Sequence, residues 1–155
     1  MSTVALIRVI ALVALVVLAA DQLSKWYVLD ALGLRERLAI PVVPPFLNFR
    51  MAWNTGINFG LFGGGPEATR WILVAISVVV SAGLVWWVLR RRQGTLAIGA
   101  GLVLGGALGN ALDRLRHGAV ADFLNTSCCG IDNPFSFNIA DVAIFGGAVW
   151  LAIRA

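Results

Sequence analysis

The sequence predicts an all-α integral membrane protein with four transmembrane helices, a small extracytoplasmic β-element and a short interfacial helix. Apolar residues make up 59% of the 155 residues and charged residues only 13%, whereas a soluble domain carries about 25% charged residues. The apolar residues are concentrated in four runs, each close to the length of about 20 residues that a helix needs to cross a bilayer. The charged residues fall between the runs. We therefore expect a single integral membrane domain over residues 1–155.

Composition also argues against two other classes of protein. The net charge is +4, but the basic residues are scattered among apolar runs and form no basic face for a nucleic acid. One histidine, His117, and one cysteine pair, Cys128 and Cys129, are too few for a His/Cys metal site. We expect neither nucleic-acid binding nor a metal.

The four runs comprise residues 4–20, 71–89, 96–112 and 139–153. A signal peptide is an alternative for the first run, because Leu18-Ala19-Ala20 resembles a cleavage site. The run is long for the apolar region of a signal peptide, so we expect an uncleaved helix. The fourth run is short and carries Asp141 near its start, so it must begin at the interface or pack against other helices.

Glycines recur every four residues in the third run, at Gly101, Gly105 and Gly109. This spacing puts them on one stripe of the helix, where the backbone of a neighbouring helix can approach closely. We expect the stripe to serve helix packing.

The basic residues predict the orientation of the chain. With a cytoplasmic N-terminus, every aspartate and glutamate lies on the outer side. The inner side then holds only basic residues, namely Arg8, Arg90, Arg91, Arg92 and Arg154. The positive-inside rule therefore places both termini in the cytoplasm. The outer segments, residues 21–70 and 113–138, carry nearly all the polar side chains, which predicts an extracytoplasmic working face.

The first outer segment is where we expect the β-element. Three prolines punctuate it, and residues 46–53 then mix apolar and polar side chains in the manner of a short strand or hairpin. The amides and glycines that begin at Asn54 could be explained by a turn alone. Gly63-Gly64-Gly65-Pro66 interrupts the chain before the second run.

Several polar groups lie at the outer ends of the first and third runs. Asp21 and Lys25 are four residues apart and can pair on one helix face, which predicts a structural ion pair. Asn110 and Arg114 are also one turn apart, with Asp113 beside Arg114. An ordinary solvated helix end could hold these groups too.

Two aspartates are the candidate acid and base. Asp122 lies between Val120 and Phe123, apolar neighbours that would desolvate its carboxylate and raise its pKa. Asp141 is a costly interfacial carboxylate and hence a functional candidate, although Asn138 as N-cap would explain it equally well as a capping residue. The two aspartates flank one outer loop and can meet at the same membrane level. Neighbouring carboxylates share one proton and supply a general base and a general acid, which is the chemistry of an aspartic protease.

Other hydrolytic sites fit the sequence less well. A zinc protease needs a pattern such as HExxH, which a single histidine excludes. The serines lack the sequence context of a nucleophile elbow, and a thiolate of Cys128 or Cys129 would have only His117 as its base. We expect these cysteines to be packed in the outer loop, reduced or as a vicinal bridge.

Five motifs together resemble the lipoprotein signal peptidases, or signal peptidase II, which are four-span aspartic proteases of the bacterial inner membrane. The motifs are Asp21-Gln22-Leu23-Ser24-Lys25, Asn54-Thr55-Gly56-Ile57-Asn58-Phe59-Gly60, Gly109-Asn110-Ala111-Leu112-Asp113-Arg114, Val120-Ala121-Asp122-Phe123 and Phe137-Asn138-Ile139-Ala140-Asp141. Each motif alone is weak. Together they follow the family's order, at matching ends of four runs and over nearly the whole chain.

The resemblance implies a role for each of these polar residues. It implies a catalytic dyad of Asp122 and Asp141 that needs no metal or cofactor. The substrate-binding residues that it implies are Asn54, Asn110, Arg114 and Asn138. The residues implied to support the architecture are Asp21, Lys25 and Asp113. The implied substrate is a prolipoprotein whose lipobox cysteine carries diacylglycerol, cut on the N-terminal side of that cysteine.

Two departures from the family pattern and two rival functions stay open at this point. Asn58 stands where a small residue is expected, and the pair Cys128 and Cys129 matches no family motif.

One rival is a non-enzymatic membrane protein, such as a transporter subunit or assembly factor, that binds protons or cations at Asp122 and Asp141. The other is a lipid-modifying hydrolase that uses the same acids. We expect a monomer in contact with membrane lipid, with its active site at the periplasmic face.

Overall fold

The computed structural model describes residues 1–56 and 65–155, except for the side chain of Pro66. Its helices are α1 (Thr3–Lys25), α2 (Leu34–Arg37), α3 (Gly65–Arg91), α4 (Gly94–His117) and α5 (Ile139–Arg154). A π-helical segment, Trp26–Ala31, continues α1 outward. The strands β1 (Ala39–Val43), β2 (Leu47–Asn54) and β3 (Val120–Thr126) form an antiparallel sheet in the order β1-β2-β3.

Three helical stretches within the described residues are long and apolar enough to cross a membrane, namely Thr3–Ala31, Glu67–Arg91 and Gly94–His117. They contain the first three predicted runs. α5 matches the fourth run and has 16 residues, or about 24 Å of helix. α1 and α4 extend further outward than residues 4–20 and 96–112, because their outer polar residues pair with one another and so continue the helices.

α4 is the central helix, and glycines bring its backbone close to both neighbours. A Cβ at Gly105 would lie 2.7 Å from the carbonyl oxygen of Ala14 in α1. On another face, a Cβ at Gly106 would overlap the carbonyl oxygen of Ala140 in α5. The predicted packing stripe is therefore confirmed against α1, and a second set of glycines, which the sequence did not predict, faces α5.

An apolar cluster holds α1, α3 and α4 together at the end remote from the sheet. Its buried members are Leu6, Ile10, Val88, Leu96, Ala97 and Ala100. The face of α3 turned away from α4 is exposed and rich in valine, as expected of a surface in contact with lipid.

The sheet is larger than the predicted β-element. β2 is the strand predicted over residues 46–53, but β1 precedes that range and β3 comes from the second outer segment, where no strand was predicted. Gly118, with φ of 78°, ends α4 and reverses the chain into β3. The ring of Phe123 packs edge-on against Phe49, with centroids 5.8 Å apart. Beneath the sheet lie the π-helical segment and α2. One short helix was predicted in this outer segment, and the structure has two.

Some sequence predictions fall on residues outside the described part of the chain. These are the interruption at Gly63 and Gly64, and residues Ile57, Asn58, Phe59 and Gly60 of the second motif. Pro66 stands in the first turn of α3, where proline is favoured because its missing N–H is not needed.

Candidate active site

Asp141 lies in the first turn of α5, next to the N-cap residue Asn138. The backbone N–H of Asp141 donates to Asn138 Oδ1 at 2.9 Å, and the backbone N–H of Asn138 donates to Asp141 Oδ2 at 3.3 Å. These two bonds form a capping box. The capping interpretation of Asp141 is therefore confirmed, and it leaves Asp141 Oδ1 for other partners.

The cap also fixes the direction of the Asn138 amide. Because Oδ1 faces the start of α5, Nδ2 faces the other way and donates to Asp122 Oδ1 at 2.7 Å. The same Nδ2 lies 3.2 Å from Asn110 Oδ1. Asn138 is completely buried. One buried amide therefore caps the helix of Asp141 and binds the carboxylate of Asp122.

Asn110 completes a path of hydrogen bonds between the two carboxylates. It lies in α4 and donates through Nδ2 to Asp141 Oδ1 at 2.9 Å, while its Oδ1 accepts from Asn138. Asp122 and Asp141 are thus joined through two amides, which do not ionise between pH 2 and 12 and so leave the charge to the acids.

Asn54 approaches Asp122 from the end of β2. Its Nδ2 donates to Asp122 Oδ2 at 3.1 Å, and its Oδ1 accepts from the backbone N–H of Gly56 at 2.9 Å. β2 pairs with β3 directly beside this point, with Ala52 opposite Asp122. Each carboxylate oxygen of Asp122 therefore receives one amide donor, although Asn54 itself is exposed.

Arg114 places a cation beside both carboxylates. It lies one turn after Asn110, whose carbonyl oxygen accepts from Arg114 Nη1 at 3.4 Å, and it interacts electrostatically with Asp122 and Asp141. Arg114 Nε is buried and has no hydrogen-bond partner among the described residues. This N–H can donate to an acceptor that a ligand brings.

A second cluster of charges lies behind the aspartates and is centred on Lys25. Its Nζ lies 2.7 Å from Asp21 Oδ2 and 2.7 Å from Asp113 Oδ2. Gln22 Nε2 also donates to both carboxylates, at 3.1 and 3.0 Å. The exposed fractions of Asp21, Lys25 and Asp113 are 0%, 5% and 3%. The predicted Asp21–Lys25 pair is present, but Asp113 joins it and the group is buried within the protein.

The two acids of this cluster each hold a backbone N–H beside a candidate catalytic residue. Asp21 Oδ1 accepts from the N–H of Ala140 at 3.0 Å, one residue before Asp141. Asp113 Oδ2 accepts from the N–H of Ala121 at 3.1 Å, one residue before Asp122. Lys25 therefore couples the start of α5 to β3 through the two acids. The sequence pointed to Asp21, Lys25 and Asp113 as supporting residues. It did not indicate this link between α5 and β3, and it assigned no role to Gln22.

The environment of Asp122 raises its pKa to about 6. Burial is the main cause, and the negative charge of Asp141 adds to it. The hydrogen bonds from Asn54 and Asn138, and the positive charge of Lys25, act in the opposite direction. Asp122 therefore binds a proton more readily than an ordinary aspartate, as its apolar neighbours in the sequence predict.

We expect two substitutions to shift this pKa in opposite directions. Asp141→Asn removes a neighbouring negative charge and should lower the pKa of Asp122, whereas Asn54→Ala removes a donor to the ionised form and should raise it. Titration of the aspartate carboxyl carbons by ¹³C NMR in detergent measures both. Asp132→Asn, in the exposed outer loop, is the control without effect. Shifts of the same sign in both variants would contradict this account of the site.

The cysteines and the histidine lie at opposite ends of the sheet. His117 contacts the ring of Trp53 near the end of β2, with centroids 5.5 Å apart. Cys128 and Cys129 follow β3 beyond Thr126, which pairs with the first residue of β2. β2 has eight residues, so about 20 Å separates the two places. The thiols are free and exposed, with Sγ atoms 2.7 Å apart, and His117 does not serve them as a base.

The described residues contain no group of three or more His, Cys, Asp or Glu side chains that could hold a metal ion. The polar site instead consists of two aspartates, three asparagines and an arginine at the outer end of α4.

Comparison with known proteins identifies the family. Residues 13–155 match the family model described as Signal peptidase (SPase) II. The chain belongs to the signal peptidase II family. Among curated signal peptidase II relatives, the lipoprotein signal peptidase of Rhizorhabdus wittichii is 42% identical over 144 residues, which cover 92% of this chain and 83% of the relative. That of Pseudomonas syringae pv. tomato is 42% identical over 139 residues, 88% of this chain and 79% of the relative.

Two solved structures agree with this membership. A bacterial membrane enzyme determined at 1.9 Å resolution superposes with a TM-score of 0.78 at 30% identity, over 92% of this chain and 89% of that one. Another, at 2.3 Å, has a TM-score of 0.74 at 29% identity, over 92% of this chain and 84% of that one. The resemblance inferred from the five motifs is thus confirmed, and the chain shares its fold with two bacterial membrane enzymes.

Proposed function

We propose that the chain is an aspartic endopeptidase of the bacterial inner membrane that removes signal peptides from diacylglyceryl-modified prolipoproteins, cutting N-terminal to the lipidated cysteine. The observation that carries the proposal is the pair Asp122 and Asp141, linked through shared amides in a chain of the signal peptidase II family. No metal or cofactor takes part in the proposed reaction.

In the proposed mechanism the two acids start with one proton between them. Asp141 is the base, and its carboxylate oxygens are held by the backbone N–H of Asn138 and the Asn110 amide. Asp122 holds the proton, in keeping with its raised pKa. Asp141 takes a proton from water as the water oxygen bonds to the scissile carbonyl carbon. The C–N bond then breaks, and the leaving amine takes the proton of Asp122. The pair again shares one proton after turnover.

The other polar residues of the site hold the acids and the substrate. Asn110 and Asn138 fix the orientation of both carboxylates, so that little reorganisation is needed during reaction. Arg114, whose Nε has no partner in the described part of the chain, and the exposed Asn54 supply donors for carbonyl oxygens of the substrate. Asp21, Lys25 and Asp113 support this arrangement from behind.

We further propose that α5 is a fourth transmembrane helix, so that residues 1–155 form one four-span domain. α5 runs antiparallel to α4 along its length: Ala140 packs at Gly106, and Trp150 Nε1 donates to the carbonyl oxygen of Thr95 at 2.8 Å, near the start of α4. Because α4 is itself a candidate span, a helix that follows it reaches the inner side. Both termini are then on one side, and the positive-inside rule makes that side the cytoplasm. The proposed site lies at the periplasmic face among membrane lipid, and we propose a monomer as the working unit.

Reporter fusions test this topology. A reporter active only in the periplasm should be active when fused after Gly56 or Gly130, and silent when fused after Arg92 or Ala155. An active fusion after Ala155 would show that α5 does not cross the membrane. An active reporter fused after Arg92 would mean that the chain has the opposite orientation, with the two acids on the cytoplasmic side.

The function itself is tested with a defined substrate. Purified protein in detergent should cleave a diacylglyceryl-modified lipobox peptide and leave its unlipidated twin intact. A lipid-modifying hydrolase would release fatty acid from diacylglycerol lipid without any peptide. A proton- or cation-binding transporter subunit would cleave nothing and would retain function in Asp141→Glu. Failure to cleave the lipidated peptide would reject the proposal.

A further inference from the structure

The outer turn of α3 makes contacts that the proposed mechanism does not use. Arg70 Nη2 donates to the carbonyl oxygen of Leu115 at 2.7 Å. Leu115 lies in the last turn of α4, where carbonyls lack donors within the helix and the helix dipole favours a cation. Arg70 therefore joins the start of α3 to the end of α4, one residue beyond Arg114.

The same turn of α3 packs against Gly56, two residues after the end of β2. Gly56 has a φ of +94°, and a Cβ there would overlap Leu73 Cδ1 and lie 3.4 Å from Thr69 Cγ2. The N–H of Gly56 donates to Asn54 Oδ1, which directs Asn54 Nδ2 toward Asp122. The position of Gly56 against α3 thus determines which way the Asn54 amide faces.

We propose that Arg70 is a positioning residue: by holding the outer turn of α3 on α4, it keeps Asn54 in contact with Asp122. Its effect on cleavage rests on the function proposed above. Its effect on the contact between Asn54 and Asp122 does not, and can be measured without a substrate.

Loss of this contact has a defined electrostatic consequence. Among the described residues, the charged groups that face Asp122 are Asp141 from α5, Lys25 from α1 and Arg114 from α4, and none of these three lies on α3. Asn54 is the donor to Asp122 that depends on the outer turn of α3. Because the Asn54 bond stabilises ionised Asp122, its weakening raises the pKa of Asp122.

The experiment compares Arg70→Met, Arg70→Lys and Arg90→Met by ¹³C titration of Asp122 in detergent. Arg90 is a matched control, because it stacks on Trp86 at the other end of α3 as Arg70 stacks on Trp71. Arg70→Met should raise the pKa of Asp122 by about half a unit, because the hydrogen bond from Asn54 to the carboxylate is weakened but not lost. Arg70→Lys should shift it less, since an ammonium still donates to Leu115. Arg90→Met should leave it unchanged.

The pH dependence of cleavage is a second measurement, and it would not change if Arg70 had only a structural role. The alkaline limb of the pH profile of kcat/KM should move upward in Arg70→Met by the same half unit. An unshifted titration in folded Arg70→Met, or an equal shift in Arg90→Met, would overturn the inference. If Arg70→Met does not fold, Leu73→Ala should raise the pKa by loosening the contact with Gly56, and no change there also overturns it. A shifted titration in a protein that cleaves nothing would support the positioning role and reject the proposed function.

Discussion

Asp122→Asn and Asp141→Asn should each abolish cleavage of the lipidated peptide in a protein that still folds and binds it. Asparagine keeps the size of aspartate and can accept one of the two hydrogen bonds that each carboxylate accepts, but it can neither accept a proton from water nor donate one to the leaving amine. General acid and base steps contribute about 10²-fold to 10⁴-fold each, so we expect a loss on the order of 10³-fold or more in kcat. Single-turnover cleavage measures the rate, and binding of a fluorescent lipopeptide measures the unchanged affinity.

The double variant distinguishes a working pair from two independent contributions. Because one acid without the other cannot complete the reaction, Asp122→Asn with Asp141→Asn should lose little more than either change alone. Asp132→Asn should cleave normally, since that carboxylate lies in the exposed loop. Near-normal turnover by either single variant in folded form would rule out the aspartic mechanism.

Lys25→Met should cause the largest loss of stability, about 3 to 5 kcal/mol in the free energy of unfolding. The substitution leaves Asp21 and Asp113 buried without their shared cation, and removing one partner of a buried ion pair has a cost of this size. Unfolding in mixed detergent micelles, followed by tryptophan fluorescence, measures it. Asp21→Asn should lower the yield of folded protein less, because its amide oxygen can still accept from Ala140, and activity per folded molecule should be retained.

An exposed ion pair on the same side of the protein is the matched control. Arg35 Nε lies 2.8 Å from Asp30 Oδ1, with 38% and 48% of the two side chains exposed. Arg35→Met should therefore change stability by no more than about 1 kcal/mol. Adding Asp21→Asn to Lys25→Met should recover part of the loss by removing one unpaired charge. Equal losses in Lys25→Met and Arg35→Met would mean that burial of the cluster contributes nothing.

Local features of the sequence were sufficient to predict much of the fold. Apolar runs predicted the cores of α1, α3, α4 and α5, because helix length and hydropathy are properties of consecutive residues. Their ends were less well predicted: α1 and α4 continue through Asp21 to Lys25 and through Asn110 to Arg114. Those polar residues find partners inside the protein, and no local pattern shows that.

The sequence by itself determined the family, the membrane-spanning character of the chain and the residues of the candidate site, since each is carried by runs and motifs of neighbouring residues. The tertiary structure alone decided how those residues work together: β3 as a strand, the two-amide path between Asp122 and Asp141, and the support from Asp21. The physical reason is that these contacts join distant parts of the chain, such as Asp21 and Ala140, which are 119 positions apart. Such pairs meet only when the glycine faces of α4 bring α1 and α5 within hydrogen-bonding distance of each other.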